Sequence, residues 1–149
     1  MNKDHIVRKI ENGTVIDHIT AGEGLHMARI LNLDQESTSV VLINAISRKL
    51  GKKDIVKIEN RELNESEVNK IALISPNATV NIIKNSEVVE KKKIEMPKVF
   101  DGIVPCPNMN CITNSNEPIK SKMLLETSSP IKLRCFYCER VFDISEIKI

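Results

Sequence analysis

The chain has 149 residues, 41% of them hydrophobic and 28% charged, with a formal net charge of +2. Such a length holds one ordinary domain or two small ones, and the composition is that of a folded globular protein, which excludes a disordered chain. Divided at Pro97, 15 basic and 14 acidic residues precede the break and 7 and 6 follow it, so neither part has the basic excess of a general nucleic-acid binder.

The N-terminus, MNKDHIVRKI, lacks the apolar run of a signal peptide, and no stretch approaches the roughly 20 apolar residues needed to span a bilayer. A cytoplasmic location without a membrane partner is the expectation. Thr14 to Ile19, TVIDHI, is rich in β-branched residues and reads as a strand interrupted in its apolar character by Asp17 and His18. In GEGLHMARILNL, Gly24, Met27, Ala28 and Leu31 recur at helical spacing, with Leu25 and Ile30 widening the apolar face. Ser39 to Ile46, SVVLINAI, reads as a buried strand, and after a turn at Arg48 to Gly51 the alternation from Asp54 to Glu59 supplies its partner. Asn64 with Glu67 three residues later forms a capping box, and Val68, Ile71 and Ala72 give a second helix its apolar face up to about Ser75. Pro76 and Asn77 stop that helix. The runs ATVNIIKN and EVVEKK around Asn85 and Ser86 then suit a hairpin.

The order βαββαββ implies an α+β fold, a ferredoxin-like antiparallel sheet with two helices on one face. Glu90 to Pro97, EKKKIEMP, combines a charge run with a proline and reads as a short linker. Composition changes beyond it: Phe100, Phe136, Tyr137 and Phe142, all the aromatic residues, lie in the last third. Domains of residues 1–97 and 98–149 are expected.

The second part carries Cys106, Cys111, Cys135 and Cys138, two short-spaced pairs separated by a long loop. Zinc is held tetrahedrally by thiolates, and a hairpin that joins two such pairs supplies four of them. One zinc ion per chain is expected in a small β domain of the zinc-ribbon or rubredoxin-like kind. Four protein ligands leave no open position, so the metal is structural, and in about fifty residues it adds much of the folding free energy. Disulfides fit a reducing compartment poorly, and a CFYC redox pair leaves Cys106 and Cys111 unexplained. A zinc deaminase needs a His-x-Glu element, and no histidine here is followed by glutamate two positions later. Arg134, Arg140 and Lys132 stand near enough in sequence to offset thiolate charge or simply to be solvated. Phe136 and Tyr137, between two ligands, read as packing for the cysteine loop.

No Ser-His-Asp order, paired-carboxylate motif, P-loop or Gly-x-Gly-x-x-Gly fingerprint is present, and His5, His18 and His26 are all N-terminal. Residue chemistry by itself stops at a non-enzymatic adaptor with a metal module.

Further motifs carry a resemblance: GTVIDHI at 13–19, GKKDIVKIEN at 51–60, ATVN at 78–81, EVV at 87–89, CPNMNCI and CFYCE. In this order and spacing the chain resembles, over nearly its whole length, the regulatory chain of aspartate carbamoyltransferase. The resemblance implies a non-catalytic subunit of pyrimidine biosynthesis whose N-terminal domain binds CTP or ATP as allosteric effectors and forms regulatory homodimers. It implies that the zinc domain docks the catalytic chain, giving a hetero-oligomer of two catalytic trimers and three regulatory dimers. Carried over by position, it places the effector on Asp17, His18, Lys57, Asn81 and Lys91, with Ile10, Ile83 and Val88 around the base and Lys53 adding charge. Lysines would neutralise the triphosphate, a carboxylate accept from ribose hydroxyls and an amide pair with a base edge. The chain departs from well-known relatives at Ser86, where they carry an aromatic, and at Arg8 and Lys9, where they are less basic.

Overall fold

The structure, a computed structural model, describes residues 10–33 and 38–149, and His5, Arg8 and Lys9 lie outside them. The chain divides into two units, Met1–Glu95 and Met96–Ile149. Among the described residues, no helix is long and apolar enough to cross a membrane.

The first unit runs β1 (Gly13–Thr20), α1 (Gly24–Ile30), β2 (Ser39–Ser47), β3 (Gly51–Glu59), α2 (Glu65–Ile74), β4 (Thr79–Lys84) and β5 (Glu87–Lys93). The strands form one antiparallel sheet in the order β2-β3-β1-β4-β5, the ferredoxin-like arrangement with one further edge strand. Strand alternation makes the layers. Thr14 and Ile16 on β1, Val56 and Ile58 on β3, and Val80 on β4 are buried on one face together with Met27, Leu31, Ile71 and Ala72 from the helical side. Each such aliphatic side chain contributes about 1.5–3 kcal/mol by leaving water.

Local chemistry sets the ends of α2. The Asn64 side chain accepts the Glu67 N–H at 2.8 Å while the Glu67 carboxylate accepts the Asn64 N–H at 3.1 Å, the reciprocal cap expected from the sequence. Arg61 pairs with the same Glu67 and donates to the Leu31 carbonyl at 2.6 Å, so it ties the end of α1 to the start of α2. Between β4 and β5, Asn85 and Ser86 both take left-handed φ values of 51° and 65°, the two-residue turn whose twist matches a hairpin.

Three expectations change. The strand β2 is not buried: it lies at the sheet edge, with Ile43 exposed and Ile46 83% exposed, because just one of its flanks is paired. Leu25 faces solvent instead of widening the apolar face of α1. The charge run at 90–93 belongs to β5 and not to a linker; charged residues suit an edge strand exposed along its whole length. The Ile94 N–H still bonds the Ala78 carbonyl at 3.2 Å, and the division between units follows Glu95.

The second unit is a four-stranded antiparallel sheet, β6 (Val99–Asp101), β7 (Lys122–Ser128), β8 (Ile131–Cys135) and β9 (Val141–Asp143), in sequential order. Its core is small: Phe100, Val104, Met123, Leu133 and Phe142 are the main buried side chains beside the cysteines.

Candidate functional site

Two constellations carry chemistry, one in each unit. In the second unit, Cys106 and Cys111 sit in the loop after β6, Cys135 ends β8 and Cys138 lies in the turn to β9. Their four sulfurs lie within 4.8 Å of one another. The Cys106–Cys138 and Cys111–Cys135 sulfur separations are both 3.7 Å. A tetrahedron with metal–sulfur bonds of about 2.3 Å has edges of about 3.8 Å, so the donor set fits a thiolate-bound zinc ion. Asn114 holds the first loop by donating its amide to the Cys106 and Asn108 carbonyls at 2.8 and 2.7 Å. The Thr113 hydroxyl donates to the Cys111 sulfur at 3.2 Å and the Cys138 N–H to the Cys135 sulfur at 3.5 Å.

Burial pushes the Cys106 and Cys135 thiols up. Burial opposes ionisation of Cys111 as well, but the hydroxyl and N–H of Thr113, with the thiols of Cys135 and Cys106, outweigh it and bring that thiol to about 7. A divalent ion would reverse the cost of burial, because it displaces the thiol protons into solvent and its charge balances that of the thiolates it binds.

Of the cations flanking the second pair, Arg134 is engaged away from the sulfurs. Arg134 makes a two-pronged contact with Glu126 on β7 at 2.9 and 2.6 Å, which lowers the Glu126 carboxyl and raises the guanidinium. Lys132 lies on β8, and Arg140 contributes its main chain, whose carbonyl accepts the Cys135 N–H at 2.9 Å. Nor do Phe136 and Tyr137 pack inward. They stand about half exposed and edge to face at 5.1 Å, with the Lys122 ammonium 4.6 Å above the Phe136 ring. Met109, 89% exposed, and Ile112 add apolar surface from the first cysteine loop.

In the first unit, the face of the sheet that neither helix covers collects most of the carried-over residues. Val40, Lys57, Val15, Asn81 and Lys91 stand opposite one another across all five strands. Directly opposed residues share a face, and three strand spacings put Lys57 and Lys91 roughly 14 Å apart at the backbone. One step along, Gly13, Ile83 and Val88 are aligned; Ile83 is buried and Val88 exposed. Ile10 is buried just before β1, and the residues after it meet the β4–β5 turn through Glu11 O···H–N Ser86 at 2.8 Å and Asn12 Oδ1···H–N Asn85 at 3.2 Å.

On the other side of the central row, β1 bulges between Ile16 and Ile19, with His18 at φ 57°. The bulge brings two consecutive side chains to the open face. Asp17 pairs with Lys53 at 2.9 Å and accepts the His18 N–H at 2.6 Å, and His18 Nδ1 lies 3.1 Å from the Thr79 hydroxyl. Burial works against the charge on Asp17, yet the Lys53 ammonium and the His18 N–H outweigh it and hold the carboxyl below its ordinary range. The Asn81 amide, nearly buried, donates to the Val15 carbonyl at 3.3 Å, which leaves its oxygen as an acceptor.

A family model described as the aspartate carbamoyltransferase regulatory chain, allosteric domain, matches residues 5–95, and one described as the metal binding domain of that chain matches 98–148. The chain belongs to the aspartate carbamoyltransferase regulatory chain family. It is 56% identical to the regulatory chain of Methanothrix thermoacetophila over 90% of its own length and 88% of that relative. With the regulatory chains of Thermococcus sibiricus and Pyrococcus horikoshii it shares 53% and 54% identity, over 95% of its own length in each case and 93% and 94% of theirs. As a regulatory chain it is non-catalytic.

Within this regulatory chain, sequence reasoning missed two residues on the open face and one buried beneath it. Lys93 and Thr79 stand opposite each other, and Thr79 also opposes Asp17. Counting two residues on from Lys91 and two back from Asn81 along alternating strands would have found them. Asp54, fully buried, gave no such signal, because its place follows from the irregular pairing beside it.

Proposed function

We propose that this chain is the nucleotide-responsive regulatory subunit of aspartate carbamoyltransferase in pyrimidine biosynthesis. Residues 1–97 bind CTP or ATP and form the regulatory dimer, and residues 98–149 hold one structural zinc ion and dock the catalytic chain. The observation that carries the effector reading is the alignment of Lys57, Asn81 and Lys91 across four adjacent strands, beside Asp17, His18 and Lys53 at the bulge. Long lysine stems from the two sides reach over Val15 and Asn81, where their ammonium groups neutralise a triphosphate. Ile10, Ile83 and Val88 form the apolar end of the same face, and that is where the base lies. The cytoplasm, where the nucleotides and the catalytic chain meet, is the location.

Cys106, Cys111, Cys135 and Cys138 hold the zinc ion, which cross-links two loops that the small core fixes poorly without it. The exposed Met109, Ile112, Phe136 and Tyr137 around those loops are the apolar surface offered to the catalytic chain. An effector bound elsewhere changes the catalytic chain only through different affinities for its low- and high-activity assemblies.

Titration calorimetry with CTP and with ATP tests the site. Lys57→Ala and Lys91→Ala should each weaken binding about ten-fold or more, since a charge-assisted hydrogen bond contributes about 1.5–3 kcal/mol. Both variants should still co-purify with the catalytic chain. Unchanged affinity in both rejects the effector site.

A further inference from the structure

Asp54 is the one fully buried carboxylate among the described residues, and it faces away from the effector cluster. Its Oδ2 accepts the N–H groups of Gly22 at 3.0 Å and Gly24 at 2.8 Å, and its Oδ1 accepts that of Asn44 at 2.9 Å. A Cβ on Gly24 would stand 2.9 Å from Oδ2, so the β1–α1 turn is built tightly around this carboxylate.

Both ladders flanking β3 are broken beside it. The β1 ladder skips from Ile16 to Ile19 and resumes with Ile19 opposite Asp54; the β2 ladder skips from Leu42 to Ala45 and resumes with Ala45 opposite Lys53. Each break holds a residue at left-handed φ, His18 at 57° and Asn44 at 60°. Bulges re-aim side chains, and non-glycine residues keep such angles where their surroundings over-determine them. Here the surroundings are the three main-chain N–H groups gathered on one carboxylate, and the re-aimed side chains are Asp17 and His18, with Lys53 paired to the former.

We propose that Asp54 is a positioning residue of the effector site: by clamping the β1–α1 turn and the β2 bulge to β3, it holds Asp17, His18 and Lys53 where a nucleotide's phosphates meet them. It touches no nucleotide. The inference rests on the effector reading above.

The test is CTP titration of the full chain as wild type, Asp54→Asn, Lys53→Ala and the double variant, with zinc content, thermal midpoint and co-purification with the catalytic chain measured alongside. Asp54→Asn keeps the shape but turns one acceptor into a donor that faces an N–H group. The expected result is a loss of CTP affinity of about ten-fold in the wild-type background. That loss should shrink in the Lys53→Ala background, because the two residues act through one unit. Zinc content and assembly should be retained. A lower thermal midpoint with unchanged affinity, or an equal loss in both backgrounds, assigns Asp54 a merely structural role and overturns the inference. Should Asp54→Asn fail to fold, Gly22→Ala disturbs one donor alone. Gly22 has φ +96° with nothing within 4 Å of an added Cβ, so the substitution strains the turn without a clash. A smaller loss in the same direction is expected from it, and unchanged affinity overturns the inference. Wild type that binds neither CTP nor ATP overturns the effector reading and this inference together; wild type that binds while Asp54→Asn binds equally well overturns this inference alone.

Discussion

The two units place their chemistry in opposite ways. In the second, four residues of one type converge from two short loops, and each is useless without the others. In the first, single residues on four strands are aligned by register, with the charges of Lys57 and Lys91 on either side of Val15 and Asn81. The first arrangement is cooperative and compact; the second is distributed, and loss of one member leaves the rest standing.

The largest effect should come from breaking the cooperative arrangement. Cys138→Ser, or removal of the metal by a chelator, is expected to abolish cooperative unfolding of residues 96–149, because the apparent free energy of structural zinc in small domains is about 10–16 kcal/mol. Near-UV circular dichroism of the aromatic residues and a zinc assay follow this directly. CTP binding by the first unit should persist. If CTP binding is lost as well, the contrast between the units fails.

Next in size is the behaviour of the distributed site under combined substitution. With Lys57 and Lys91 roughly 14 Å apart at the backbone, their losses should add, so the double alanine variant should bind CTP about a hundred-fold more weakly than wild type. Calorimetry or competition binding reads this. A double variant no weaker than either single one would mean that the two lysines serve one tight contact, and that the face resembles the cysteine centre after all.

How each site shows itself in sequence follows from the same contrast. The spacing of Cys106, Cys111, Cys135 and Cys138 announces the metal centre because ligand chemistry restricts both residue type and local spacing. The cap at Asn64 and Glu67 and the turn at Asn85 and Ser86 are legible for the same reason: partners three residues apart or adjacent are fixed by local geometry. Register is not local. Nothing in the neighbourhood of Lys57 says that Val15 stands beside it and Asn81 one strand further, and the proposed effector residues came from family resemblance. Position in the sheet was equally hidden, so Ile43 and Ile46 read as core while lying on the edge strand β2. Arg134 read as a neighbour of the thiolates, yet the β7–β8 pairing hands it to Glu126.

The smallest effect concerns acid. Asp17 is held below its ordinary pKa in the fold, so its contribution to stability is complete above the unfolded value of about 3.9 and is lost as pH falls through the lower folded value. Acid unfolding of wild type should therefore be steeper below about pH 4 than that of Asp17→Asn, a modest difference given the partial exposure of the pair. Superimposable acid profiles would show that the pair adds nothing to the fold and stands ready for the ligand alone.

The outermost strand β5 carries Lys91, Lys92 and Lys93 in succession along a fully exposed edge. An unprotected edge invites another chain to extend the sheet, and lysines there repel such an addition. Lys91 and Lys93, on the face proposed for the nucleotide, thus also help keep one molecule's sheet from templating the next. Neutralising several of these lysines at once leaves the exposed Val88 and Val89 beside an edge stripped of its cations, so aggregation during expression becomes a cost of weakening the proposed site that no binding curve would register.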